Sequence, residues 1–194
     1  MLSAALMFFL VMDPLGNVPL FLTALRNTPE ERRQWVILRE LLIALALMVA
    51  FLFAGQGLMQ ILSINNAALE AAGGVILMLI AIRMVFPTPE KNLREPHTDD
   101  EPFIVPLAVP YVAGPSLLAI EVVLISQNPD KWLTYLGAIA LAWAVTAVIL
   151  YLSGFLRRVV GDKTLIAMER LMGMLLVILA IQMMFEGTRA FFQG

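Results

Sequence analysis

The sequence predicts an all-α integral membrane protein: six transmembrane helices as two inverted three-helix repeats, with helices 1 and 4 broken near the bilayer midplane. Three observations predict it. Apolar residues make up 60% of the 194-residue chain and charged residues only 14%, against about 25% charged in an average soluble domain. Six mostly apolar runs have the length a bilayer core requires, and together they take up most of the chain. Clusters of proline and glycine fall in the middle of the first run and of the fourth.

The first run, Leu2–Leu25, carries Asp13-Pro14-Leu15-Gly16-Asn17-Val18-Pro19 at its centre. A proline removes a backbone donor and crowds the carbonyl four residues back. In hydrocarbon the freed groups must find partners. Asp13 suits the cap, and Pro14 the first residue, of a half-helix that starts inside the membrane. Before the second run, Leu41–Leu62, Thr28-Pro29-Glu30-Glu31 reads as a capping box. Arg39 and Glu40 read as an ion pair at the start of that run, and Trp35 as an interfacial anchor. The third run, Ala67–Phe86, has Glu70 near its start, the packing doublet Gly73-Gly74, and Arg83 snorkelling to the surface near its end.

The fourth run, Phe103–Ile125, is interrupted by Pro110-Tyr111-Val112-Ala113-Gly114-Pro115-Ser116. Glu121 lies late in it, within reach of the far surface. The fifth, Leu133–Phe155, opens beside the interfacial Trp132 and carries Trp143 at depth, where it should pack between helices. The sixth, Leu165–Phe185, has Glu169 near its start.

Cations orient the bundle. Arg26, Arg32, Arg33, Arg39, Arg83, Lys91, Arg94, Arg157, Arg158, Lys163 and Arg170 fall around alternate loops; Lys131 and Arg189 fall on the other side. The positive-inside rule makes the rich side cytoplasmic, and six spans then put both termini outside it. A cleaved signal peptide is disfavoured, because the positive charge follows the first apolar run instead of preceding it.

Shifted by about 99 residues, the halves match. Gly16 falls near Gly114, Glu70 on Glu169, and Gly74–Phe86 on Gly173–Phe185. The chain therefore divides into a first repeat (1–86), a cytoplasmic linker (87–102) and a second repeat (103–194). Three spans per repeat is odd, so the second must lie inverted. Inverted repeats with interrupted helices at matching places point to a secondary transporter whose site lies at the interruptions.

The run Met12–Pro19 resembles the DPxGNxP signature of the MarC family of bacterial inner-membrane proteins. Glu101–Pro110, Ala113-Gly114-Pro115 and Glu169–Gly173 carry the same resemblance, which covers nearly the whole chain. It implies a six-helix member of the LysE-like transporter superfamily, an exporter or exchanger in the inner (plasma) membrane. For some members it implies small neutral amino acids, such as glycine and alanine, as substrates.

The residues themselves suit such a solute. Asp13 offers a carboxylate to an ammonium; Asn17, Ser116 and free N–H groups after Pro14 and around Gly114 offer donors to a carboxylate. The candidate substrate-binding residues are Asp13, Pro14, Gly16, Asn17, Pro19, Ala113, Gly114, Pro115 and Ser116. Asp13, Glu70 and Glu169 are candidates for ion coupling. Cysteine is absent and His97 is the single histidine, so neither a metal nor a cofactor is expected. No catalytic constellation appears: only Asp13 is a deep aspartate, and no base accompanies Ser116. The expected partners are a small solute and the lipid bilayer, not nucleic acid, with self-association into a homo-oligomer left open. An intramembrane enzyme and a non-transporting structural or regulatory membrane protein are the alternatives.

Overall fold

The computed structural model describes residues 1–86 and 102–193, so the linker lies outside the described residues except for Pro102. Five helical stretches are long and apolar enough to cross a membrane: Leu2–Ala24, Glu30–Ile61, Asn66–Val85, Pro129–Tyr151 and Lys163–Phe192. A shorter apolar helix covers Pro115–Gln127.

The first stretch is two helices, α1 (Leu2–Met12) and α2 (Pro14–Ala24), joined through Asp13 alone. Asp13 adopts the left-handed conformation, φ 42° and ψ 61°, which aspartate tolerates better than most residues. One residue therefore ends one helix and caps the next. After a turn, α3 (Glu30–Ile61) runs 32 residues. It starts eleven residues before the apolar run, because Glu, Arg and Gln are good helix formers even where they are not apolar. Its cap is Pro29 with no side-chain bond, so the Thr28 capping box does not form. Thr28 is buried, and its carbonyl accepts from Arg33 Nε at 2.9 Å. The helix α4 (Asn66–Val85) is capped by Asn65, whose Oδ1 accepts from the amide of Ala68 at 2.7 Å.

The fourth apolar run is not one helix of spanning length. A π-helical stretch, Leu107–Val112, contains Val109 in an extended conformation (φ −128°, ψ 127°). Ala113 and Gly114 follow outside any helix, and α5 (Pro115–Gln127) starts with its proline in the first turn. A 3₁₀ turn, Pro129–Lys131, leads into α6 (Trp132–Tyr151). The fifth run is cut at Leu152, where α7 (Ser153–Val160) begins with Phe155 and Val159 exposed. The last helix, α8 (Asp162–Gln193), is again longer than its apolar run.

Packing is mostly between the halves. α1 packs on α6, α2 on α6 and α8, α3 on α5, α6 and the π-helical stretch, and α4 on α5 and α8. The α4–α8 pair is antiparallel and joined by glycines. A Cβ on Gly74 would stand 2.9 Å from the carbonyl of Ala180 and 3.0 Å from the amide of Met184. A Cβ on Gly173 would stand 3.2 Å from the carbonyl of Ala81 and 2.9 Å from Met84 Cβ. Small residues that let backbones approach are the usual glue of helices in lipid, where no hydrophobic drive acts between them.

Polar side chains lock the rest. Trp143 Nε1 donates to the carbonyl of Leu41 at 2.8 Å, tying α6 to α3 as its depth suggested. Arg39 pairs with Glu40 (2.9 Å), donates to the carbonyl of Pro102, and lies 5.1 Å from the ring centres of both Trp35 and Phe103. The Arg39–Glu40 pair exists, but well inside α3 and with Glu40 fully buried, not at a helix start.

Candidate functional site

The two breaks meet. Asn17 Nδ2 donates to the carbonyl of Met12 at 2.7 Å, and to that of Tyr111 at 2.7 Å. Its two amide hydrogens thus satisfy one orphaned carbonyl at each interruption and staple the first break to the second. In hydrocarbon each unsatisfied carbonyl would cost several kcal/mol, so this residue has a structural task whatever else it does. Asp13 Oδ1 accepts from the amide of Gly16 at 3.1 Å, the cap anticipated for α2. Its other oxygen, Oδ2, is buried with no hydrogen-bond partner.

The second break is built differently. The cap position of α5 is Gly114, and no side chain caps it. The N–H groups that open α5 are therefore not occupied by a cap, and the positive end of the helix dipole is left unscreened there. Ser116 Oγ donates to the carbonyl of Gly73 at 2.9 Å, so its hydroxyl hydrogen ties α5 to α4.

Between these elements lies a cavity of about 240 Å³. Polar groups line it at Asp13, Asn17, Arg83, Tyr111, Ser116 and Glu169; Val11, Leu20, Leu77, Ile80, Met84, Leu117 and Leu176 supply most of the apolar wall. Of the residues singled out from sequence, Asp13, Asn17, Gly114, Ser116 and Glu169 line it. Pro14, Gly16, Ala113 and Pro115 shape the breaks without lining the cavity, and Pro19 lies inside α2, beyond the break and away from the cavity. Gly16 has no room for a side chain: a Cβ there would collide with Asp13 and Met84. Glu70 is elsewhere, beside Glu186 of α8, which accepts from Gln182 Nε2 at 2.8 Å. The repeat symmetry that paired Glu70 with Glu169 does not place the two alike.

Sequence reasoning missed Arg83 and Tyr111. The symmetric position of Arg83, opposite Gln182, was visible, but an arginine near a helix end reads as snorkelling. Nothing in the sequence shows that α8 carries Glu169 to the same cavity. Glu121 differs most. It is fully buried in the middle of α5 rather than near a surface, because the fourth segment becomes an α-helix only at Pro115.

Comparison with known proteins is consistent over the full length. The pattern of the family described as MarC family integral membrane protein matches residues 1–192. The inner membrane protein YhgN of Escherichia coli (strain K12) is 45% identical over 193 residues, covering 100% of this chain and 98% of that one. A membrane protein of Buchnera aphidicola subsp. Baizongia pistaciae (strain Bp) is 43% identical over 193 residues, covering 98% and 97%. A membrane protein of Chlamydia pneumoniae is 31% identical over 188 residues, covering 96% and 93%. No solved structure matches.

Proposed function

The chain belongs to the MarC family of integral membrane proteins, and on that premise we propose that it is a secondary transporter of a small neutral amino acid, such as glycine or alanine, in the bacterial inner membrane. The observation that carries the reading is the cavity at the junction of the two breaks. One wall includes Asp13, one carboxyl oxygen of which has no partner in the fold, together with Glu169. The other presents the uncapped start of α5, and Arg83 lines the same space. A carboxylate faces an ammonium, and a bare helix start with a guanidinium faces a carboxylate. The volume is below the roughly 300–1,000 Å³ of pockets for drug-sized ligands, which favours a small solute. The chemistry needed is binding and release, with no catalytic step.

Packing supports the inverted repeat. Exchange α1 with the π-helical stretch, α2 with α5, α3 with α6 and α4 with α8. The pair α1–α6 then becomes α3 with the stretch, α2–α8 becomes α4–α5, and α2–α6 becomes α3–α5, all of which are observed. The glycine contacts exchange as well: Gly74 with Ala180 and Met184 maps on Gly173 with Ala81 and Val85. Parity supports six crossings. Were the segment containing α5 not to cross, α4 and α8 would be the third and fifth spans and would run parallel. Their antiparallel contact requires an even number of crossings between them. Six crossings put both termini on one side, which the cation distribution makes the periplasmic one.

Two experiments test this reading. Labelled glycine and alanine should enter proteoliposomes containing the purified protein, and the flux should exceed that of empty liposomes. Equal flux in both would remove the transport assignment. Alkaline phosphatase fused after Gly194 is expected to be active, because that reporter works only outside the cytoplasm. An inactive fusion, with activity restored to a cytoplasmic reporter at the same site, would overturn the six-span topology.

A further inference from the structure

Glu121 is 0% exposed, and neither oxygen of its carboxyl has a hydrogen-bond partner. The other buried carboxyls differ: Asp13 caps α2 through one oxygen, and Glu40 pairs with Arg39. Several elements pack on α5. Their charged or titratable groups are Glu30, Glu31, Arg32, Arg33, Arg39 and Glu40 on α3; Glu70 and Arg83 on α4; Tyr135 and Tyr151 on α6; and Asp130 and Lys131 in the 3₁₀ turn. α1 (Leu2–Met12) carries none within it and is flanked by the amino terminus of Met1 and the carboxyl of Asp13. None of them hydrogen-bonds or ion-pairs with Glu121.

Register explains the isolation. The α4-facing side of α5 is set by Ser116 and Ala119 against Gly73, and by Ser126, which accepts from Asn66 Nδ2 at 2.6 Å. Val122 faces Gly55 of α3. Glu121 projects away from the α4 side, one turn beyond Leu117 on the same face. Leu117 lines the solute cavity. The two positions are about 6 Å apart along the helix axis at 1.5 Å per residue.

A charged carboxylate left this way costs several kcal/mol without a partner, and such a residue in a membrane segment marks function by default. A metal ion is a poor partner. It would need several oxygen ligands, and no cluster of three or more Asp, Glu, His or Cys exists among the described residues. A proton needs none. We infer that Glu121 is a proton-carrying site of this protein, holding one proton as the neutral acid in the conformation described and releasing it when α5 moves. The inference rests on the transport reading for its role: the proton would couple to solute movement, because the helix that carries Glu121 also opens the solute cavity at its first turn. No bond other than O–H is made or broken.

Two measurements test it separately. In infrared difference spectra of the purified protein in lipid, taken across a pH titration, wild type should show the carbonyl band of a protonated carboxylic acid free of hydrogen bonds. Glu121→Gln should lack that band, and Asp13→Asn should retain it. A spectrum that Glu121→Gln leaves unchanged overturns the proton site, whether or not the protein transports anything. In proteoliposomes, Glu121→Gln should exchange labelled alanine across the membrane but lose accumulation driven by a pH gradient. Accumulation at the wild-type rate overturns the coupling role. A wild-type protein that moves neither glycine nor alanine would overturn the transport reading and with it the coupling role, while the infrared result still decides the proton site. Glu121→Leu, which removes the polar atoms and keeps the bulk, should melt no lower than wild type. It should fail to accumulate in the same way, and this variant stands in if the Gln protein does not fold.

Discussion

Asp13→Asn is expected to abolish or strongly weaken the flux of labelled glycine and alanine while leaving the protein folded. Asparagine keeps the shape, tolerates the left-handed backbone that Asp13 adopts (φ 42°), and is as good a helix cap. Its Oδ1 can still accept from the amide of Gly16. What is lost is the charge on Oδ2, the oxygen with no partner in the fold. A hydrogen bond to a charged group contributes about 1.5–3 kcal/mol, so flux at low substrate should fall roughly ten- to hundredfold. Melting in detergent should stay close to wild type, since the unpaired buried oxygen is exchanged for an equally unpaired amide nitrogen that carries no charge. If the purified variant carries substrate at the wild-type rate, Asp13 is a cap alone and the ammonium-binding role is wrong.

Gly74→Leu and Gly173→Leu should each lower the melting temperature, and by similar amounts. Both side chains would be forced onto the opposite helix: the backbone of Ala180 and Met184 in one case, the carbonyl of Ala81 and the Cβ of Met84 in the other. Backbone cannot give way as a flexible side chain does, and overpacking of this kind costs about 1–3 kcal/mol or more. Gly57→Leu and Gly154→Leu are the controls, because nothing lies within 4 Å of a Cβ at either position. Unchanged melting in the first pair would mean that the α4–α8 contact does not hold the bundle together. A fall in only one of the two would count against the exchange symmetry of that contact.

The breaks were legible because their chemistry is local. An Asp-Pro pair and a Gly-Pro pair say where a helix restarts without reference to anything distant, and α2 and α5 start at Pro14 and Pro115. The equivalence of the halves was legible only roughly. Matching at one offset pairs Gly16 with Gly114, whereas the structure sets Asp13-Pro14 beside Gly114-Pro115 as the two caps and first residues. The second break contains additional irregular backbone, so no single offset serves the whole repeat. Lateral placement was not legible at all. Arg83 and Glu169 share a cavity through the packing of α4 and α8, a relation between helices with no trace in either one. Glu121 was misplaced for a different reason. Counting along an apolar run gives depth only if the run is a straight helix, and the first part of this one is not.

The unlike caps of the two half-helices have a further consequence. Two halves related by a two-fold axis would, if identical, build a palindromic site, one that a ligand could enter equally well in either sense. Here one helix start bears a carboxylate at Asp13 and its counterpart bears bare glycine at Gly114. An amino acid is itself a head-and-tail molecule. The mismatch therefore gives the pocket a polarity across the axis; under the proposed transport function, the ammonium would point toward the first half and the carboxylate toward the second. Such a direction is unavailable to a symmetric pair of separate half-length chains, and it becomes available once both halves are encoded in one polypeptide and can change independently.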